Sequence, residues 1–300
     1  MSDQERTINK HAYLIMCHSN FEQLIILLQL LDDSRNDIYI HIDKKALGYS
    51  KQEILNSVTE SGVFFVDPVK VNWGGDSMIT AEIRLLHESS KRKYDYYHFI
   101  SGVDLPLKRQ DEIHCFFQNN PKTNYVSIDN YPESKDNVYL ERVKYYYPFQ
   151  NIIGRNSGIF VGLVTFVQFR LLAIQKKLGI DRTNKTKLIY VKGANWFDIT
   201  HEAVIYVLGE YKKYKKHFKN TICADEIFLQ TILYNSYLKP TIDSDSLRLV
   251  DWKRGQPYVF TSEDYEMLIQ SQENKLFARK FDINKDEKVI FMIKEYLFQG

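Results

Sequence analysis

Several places in this 300-residue chain carry side chains whose types could do chemistry together. Asp225-Glu226 stand just before the apolar helical pattern Ile227, Leu229, Ile232, Leu233. Acidic residues there suit a helix N-terminus electrostatically. A second reading is acid–base chemistry. Glu226, set among Ile222, Cys223, Ala224, Ile227 and Phe228, is expected to be partly desolvated. Desolvation would move its pKa toward taking a proton from a hydroxyl near neutral pH. Arg248, in the alternating stretch Leu247–Trp252, and Lys280, in Phe277–Asp282, are cations that could neutralise a diphosphate leaving group. The alternative is a pair of solvated surface charges, the commoner fate of Lys and Arg.

Asp43 closes the alternating run Tyr39-Ile-His-Ile-Asp43. It could accept hydrogen bonds from a ribose hydroxyl or a base N–H, or cap the turn that follows. Trp73-Gly74-Gly75 sets a large ring beside two residues that permit close backbone approach. Opening onto a helix N-terminus, such a turn suits a ligand hydroxyl or phosphate, or is a tight turn with a packed Trp.

The elements that must position these groups alternate. Ala12–Cys17 reads as a strand, Phe21–Leu31 as a helix, Asp37–Asp43 as a strand, Ser50–Ser57 as a helix and Gly62–Val66 as a strand. Met78–Ser90 then reads as an amphipathic helix and Tyr94–Ser101 as a fourth strand. This is the pattern of an α/β, mostly parallel sheet flanked by helices, its apolar strands covered on both faces. Asp111–Phe117, Tyr125–Ile128, Leu188–Val191, His201–Tyr211 and Asp225–Tyr234 extend the alternation. No linker or repeat divides the chain, so one domain is expected. Ligands of such sheets lie beyond the strand C-termini. That rule points to His18–Asn20, Asp43–Lys45, Trp73–Ser77 and Ser101–Asp104 as a nucleotide or sugar site.

Composition removes other classes. A net charge of +2 gives no concentrated basic face for nucleic acid. Cys17, Cys115 and Cys223 form no CxxC and are odd in number, so buried thiols in a reducing, cytoplasmic setting are expected. The N-terminal residues do not read as a signal peptide, and no membrane span is expected. The apolar segment 158–173, with Arg170, Lys176 and Lys177 in or after it, reads as a buried helix or as a peripheral contact with a membrane presenting a lipid-linked acceptor. Asp243-Ser-Asp245 reads as a pair of turn formers rather than metal ligands.

In this order, the stretches Tyr13–His18, Ile40–Lys44, Val71–Gly75, Phe99–Pro106, Lys192–Phe197, Ala224–Glu226, Leu247–Trp252 and Phe277–Asp282 resemble one glycosyltransferase family. It is that of the core-2/I-branching β-1,6-N-acetylglucosaminyltransferases and peptide O-xylosyltransferases. The resemblance implies a GT-A-type (Rossmann-like) fold and inverting transfer from a UDP-sugar to a glycan hydroxyl, with no obligatory metal or other cofactor. By position it makes Glu226 the catalytic base. His18, Asp43, Trp73, Gly74, Arg248 and Lys280 fall to the donor, the two cations holding the diphosphate. Asp104, Asn195, Trp196 and Asp225 fall to the substrate side. Residues 1–125 would form the nucleotide-sugar half and 126–300 the acceptor and catalytic half. Related sequences often carry an acidic residue, Ser or Gln where Asn195 stands. The anchor, stem and disulfides of animal members are missing here, which implies a bacterial enzyme of surface polysaccharide synthesis. A carbohydrate-binding protein that kept the fold and lost turnover is the alternative. A nucleotide-sugar pyrophosphorylase would want a Gly-rich basic loop where His18-Ser-Asn20 follows the first strand.

Overall fold

The computed structural model describes residues 9–129 and 138–299, so the reading of the extreme N-terminus lies outside the described residues. The chain opens with β1 (His11–Cys17), α1 (Phe21–Leu31), β2 (Asn36–Ile42), α2 (Lys51–Leu55) and β3 (Gly62–Phe65). It continues through α3 (Asp76–Ser89), β4 (Tyr96–Ser101), β5 (Asp104–Pro106), α4 (Gln110–Asn119) and β6 (Asn124–Val126). Short helices α5 (Glu141–Lys144) and α6 (Gln150–Ile153) precede the long α7 (Ile159–Lys177). Then come β7 (Phe197–Thr200), α8 (His201–Phe218), α9 (Phe228–Tyr234), β8 (Ile242–Asp243) and β9 (Arg248–Val250). Helix α10 (Tyr265–Gln270), β10 (Phe277–Arg279) and α11 (Glu287–Gln299) end it.

The main sheet has the order β3-β2-β1-β4-β7-β6-β8, parallel except where β7 runs against β4 and β6. The α/β, mostly parallel sheet expected from the alternation is therefore present. Period-two alternation explains its two covers. Tyr13, Ile15 and Cys17 of β1 pack with Leu24 and Leu27 of α1, Phe117 of α4 and Ile290 and Ile293 of α11. Ala12 and Leu14 face the other way, with Ile79 and Leu85 of α3 and Val204 and Val207 of α8. Each such buried aliphatic side chain contributes roughly 1.5–3 kcal/mol. A second, three-stranded sheet, β5-β10-β9, lies beside the main one.

Three local expectations change. Leu188–Val191 forms no strand, its place beside β4 being taken by β7. Cys115 is exposed rather than buried. The segment read as a buried helix, α7, is an exposed one: Phe160 is 67%, Leu163 62% and Phe169 65% accessible. By length and composition Ile159–Lys177 could cross a membrane. An apolar run reads the same in sequence whether covered or open, and here only Gln168 and Gln175 of this helix are buried.

Candidate active site

The acidic turn sits where sequence order suggests, but its two carboxylates divide the labour differently. Cys223 adopts a left-handed backbone (φ 47°) and opens the single turn Ala224–Glu226 ahead of α9. Its N–H donates to the carbonyl of Gly74 at 2.8 Å. Gly74 has φ +69°, and a Cβ there would press on Cys223 Sγ at 3.1 Å. The Trp73–Gly75 turn and the acidic turn are thus back to back. Glu226 is one-third exposed and paired with Arg142 at 2.6 Å and Lys192 at 3.5 Å. The strongly desolvated carboxyl is Asp225 instead. It is buried, and burial, then the neighbouring Glu226 charge, pushes its pKa up to about 7. Asn195 Nδ2 donates to Asp225 Oδ2 at 3.4 Å, and Oδ1 has no partner among the described residues. Glu82 of α3 is also fully buried, raised well above the ordinary carboxylate range by burial and then by Asp225. Asp225 was expected to meet substrate; burial places it behind Glu226.

Opposite lies a cationic corner at the C-terminal ends of β1, β2 and β4. Lys280 is half-buried and follows Arg279, the last residue of β10. Burial lowers the Lys280 pKa, and Arg279 and Arg155 add to the shift against Asp282 and Asp104. His18, on the loop after β1, belongs to the same field. Partial desolvation holds it below its ordinary value; Asp43 opposes this, while Lys280, Lys45 and Arg155 reinforce it. Asp43 is nearly buried and accepts from Lys45 N–H at 2.8 Å, so it does cap its turn while facing this corner. Arg155 lies over the exposed Trp73 ring at 4.9 Å. Arg279 lies over Trp196 at 4.3 Å, and Trp196 stacks on Phe99 at 5.5 Å.

Two series of neighbours therefore lead from the acidic turn toward the cations. One runs from the acidic turn at Cys223 through Gly74 and Trp73 to Arg155, whose charge acts on Lys280. The other runs from Asp225 through Asn195, Trp196 and Arg279 to Lys280. Besides Asp225, two site residues expected from the sequence are corrected by their burial. Arg248 is not a ligand cation: its side chain is 1% exposed, and its guanidinium holds Asp198 through both nitrogens, Nη2 at 2.8 Å. The same fork donates to the carbonyls of Phe99 at 3.3 Å and Phe197 at 3.2 Å, pinning β9 to β4 and β7. The alternation of β9 turns this side chain inward, over Phe277. Asp104 is likewise buried, its two oxygens taken by Arg279 at 2.7 Å and the Ser101 N–H at 2.7 Å, so it orients Arg279 and does not face a ligand. Asp243 and Asp245 shape their turn by accepting from Asp245 and Leu247 N–H.

Arg142, Arg155, Lys192 and Arg279 escaped the sequence reading. Arg279 and Lys192 lie inside motifs already singled out; Arg142 and Arg155 fall in a stretch with no periodic signal.

The family model for the core-2/I-branching enzyme matches residues 11–276. The chain belongs to the core-2/I-branching enzyme family of glycosyltransferases. Curated relatives of this core-2/I-branching chain include xylosyltransferase 2 of Pan troglodytes, 22% identical over 96% of the chain and 33% of the relative. Xylosyltransferase 1 of Canis lupus familiaris is 22% identical over 96% of the chain and 30% of the relative. The chain thus spans about a third of the length of the curated relatives it matches. Among solved structures, apo mouse xyloside xylosyltransferase 1 aligns with a TM-score of 0.41 at 9% identity, covering 89% of this chain and 96% of that one. Residues 1–349 of S. aureus TarS align with a TM-score of 0.38 at 13% identity, covering 96% and 72%. Neither likeness bears on substrate.

Proposed function

We propose that the chain transfers a sugar from a UDP-sugar to a glycan hydroxyl by a single inverting displacement, without an obligatory metal. The supporting observation is that the acidic turn abuts the Trp73 turn and Asn195, while Arg155 stacks on Trp73 and Arg279 on Trp196. Glu226 takes the acceptor proton as the acceptor oxygen bonds to the anomeric carbon. The anomeric carbon–oxygen bond to the diphosphate breaks, and UDP leaves with the electron pair. Lys280 and Arg155 meet that charge, with Arg279 held in register by Asp104. Asp104 is fully engaged by Arg279 and the Ser101 N–H, so its oxygens are committed to protein donors. General-base assistance supplies about 10²–10⁴-fold, and fixed cations about 10²–10³-fold more.

Donor sugars of the N-acetylglucosamine, xylose or glucuronic acid class fit this reading, the curated relatives being xylosyltransferases. A glycan or lipid-linked glycan acceptor at the cytoplasmic face, in bacterial surface polysaccharide synthesis, fits the three free cysteines and the exposed α7. The test is a panel of UDP-sugars assayed for transfer and donor hydrolysis with and without EDTA. Turnover unaffected by EDTA is expected. Loss in EDTA restored by Mn²⁺ would overturn the metal-independent mechanism.

A further inference from the structure

Helix α7 is built inside out. Its buried side chains are the polar Gln168 and Gln175, seven residues apart and so on one face. Gln168 accepts from the Phe149 N–H at 3.1 Å. Gln175 accepts from the Tyr146 N–H at 2.8 Å and donates to its carbonyl at 3.0 Å. These bonds tie the helix flat against the loop ahead of it. Its outward face carries Ile159 at 89% exposure, with Phe160, Leu163, Phe166, Phe169 and Ile174 all above half. A surface helix normally shows the reverse pattern, and exposed apolar area of this kind marks an interaction site.

Charge selects the occupant. From residue 142 to residue 192 the chain carries ten Lys or Arg and one acidic residue, Asp181; Arg182 is buried and Arg142, Lys144, Lys176 and Lys192 are ion-paired, which leaves Arg155, Arg170, Lys177, Lys185 and Lys187 outside any ion pair among the described residues. Within the helix, Arg170, Lys176 and Lys177 are its charged residues. An apolar strip about 28 Å long, rimmed by cations, matches the boundary between acyl chains and anionic headgroups. Spanning is disfavoured because the two Gln anchors hold the helix alongside the domain rather than letting it leave. We propose that α7 lies in the plane of an anionic bilayer, with Phe160, Leu163, Phe166 and Phe169 inserted. Arg155, four residues before the helix, stacks on Trp73, so the bilayer surface lies beside the Trp73 turn of the candidate site. The bilayer site stands on the helix alone. Its consequence, a preference for acceptors carried by a membrane lipid, rests on the sugar-transfer reading.

Flotation with phosphatidylglycerol-containing vesicles, without donor or acceptor, tests the site apart from catalysis. Co-flotation is expected, weakening with salt and falling about fivefold for each of Arg170→Gln and Lys177→Gln. Phe166→Glu/Phe169→Glu should lower partitioning about 100-fold or more while leaving the melting temperature unchanged, since both rings are exposed. The proposal fails if the wild-type chain stays in solution with these vesicles. It also fails if sedimentation shows a dimer that Phe166→Glu/Phe169→Glu dissociates, for then a second copy covers the face. Flotation with no sugar transfer would leave the membrane site standing and sink the catalytic reading alone.

Discussion

Arg279 lies 4.3 Å from the centre of the Trp196 ring while its guanidinium reaches Asp104 at 2.7 Å and the Ser101 hydroxyl at 2.5 Å. A planar fork can hold both oxygens and face a ring; an ammonium cannot. Arg279→Lys keeps the charge but should lower kcat/KM about tenfold or more, chiefly through donor KM. Steady-state kinetics across donor concentrations check this. An unchanged KM would mean that Arg279 does not help to shape the donor site.

Arg248 and Lys280 looked equivalent in the sequence and should behave oppositely. Removing one partner of a buried ion pair costs about 3–5 kcal/mol. Arg248→Ala strands the fully buried Asp198 and should unfold at markedly lower temperature. Lys280→Ala should melt as the wild type does yet bind UDP at least about tenfold more weakly. Calorimetric melting and UDP titration of both variants separate the roles. A stable Arg248→Ala with weakened UDP binding would reverse the assignment.

The difference marks how far the sequence could be read. Strands β1 to β4 were legible because apolar runs covered on both faces leave little choice of element. The motif order anticipated the contact of the Trp73–Gly75 turn with the acidic turn, and of Asn195 with Asp225. The fate of Arg248 was not legible, because Asp198 is 50 residues away on β7, and alternation says that a side chain faces inward without saying what awaits it. Arg155 lies in a stretch with no period, and its importance depends on the fold of the loop that stacks it on Trp73. Helix α7 misled because hydrophobicity measures composition, whereas burial depends on which face the Gln anchors hold.

Glu226 is positioned by cations, with Arg142 at 2.6 Å and Lys192 at 3.5 Å. Glu226→Gln preserves shape and removes the proton acceptor. Turnover should fall about 10²–10⁴-fold with UDP affinity retained. Near-normal turnover would mean that another group takes the acceptor proton.

Asp225 gives the fold a dependence on pH. Its folded pKa of about 7 exceeds its ordinary value of 3.8, so folding takes up a proton between those limits. Below about pH 4 both states are protonated and there is no cost. As pH rises from about 4 to about 7, stability falls by an amount on the order of 4 kcal/mol and then levels off for this group, and Glu82 acts in the same direction. Asp225→Asn should flatten this slope. Urea melts at pH 5 and pH 8 compare the two chains, and parallel curves would remove the linkage.

Gly193 fixes the distance between the Lys192 cation and the acidic turn. Its N–H donates to the Glu226 carbonyl at 3.0 Å, and the Lys192 carbonyl accepts from the Asp129 N–H at 2.8 Å. The segment is pressed so close to Ser127 that a Cβ on Gly193 would overlap the Ser127 carbonyl, a rigid backbone group that cannot rotate aside. Gly193→Ala must therefore push residues 192–196 away from 127–129. Lys192 then leaves Glu226, and Asn195 leaves Asp225. A loss of roughly 2 kcal/mol or more of stability is expected, together with a fall in kcat steeper than the change in donor KM, because the displaced groups lie on the acidic side. Melting and kinetics of Gly193→Ala measure both, and a variant as stable and active as the wild type would show that this close approach does not govern the site.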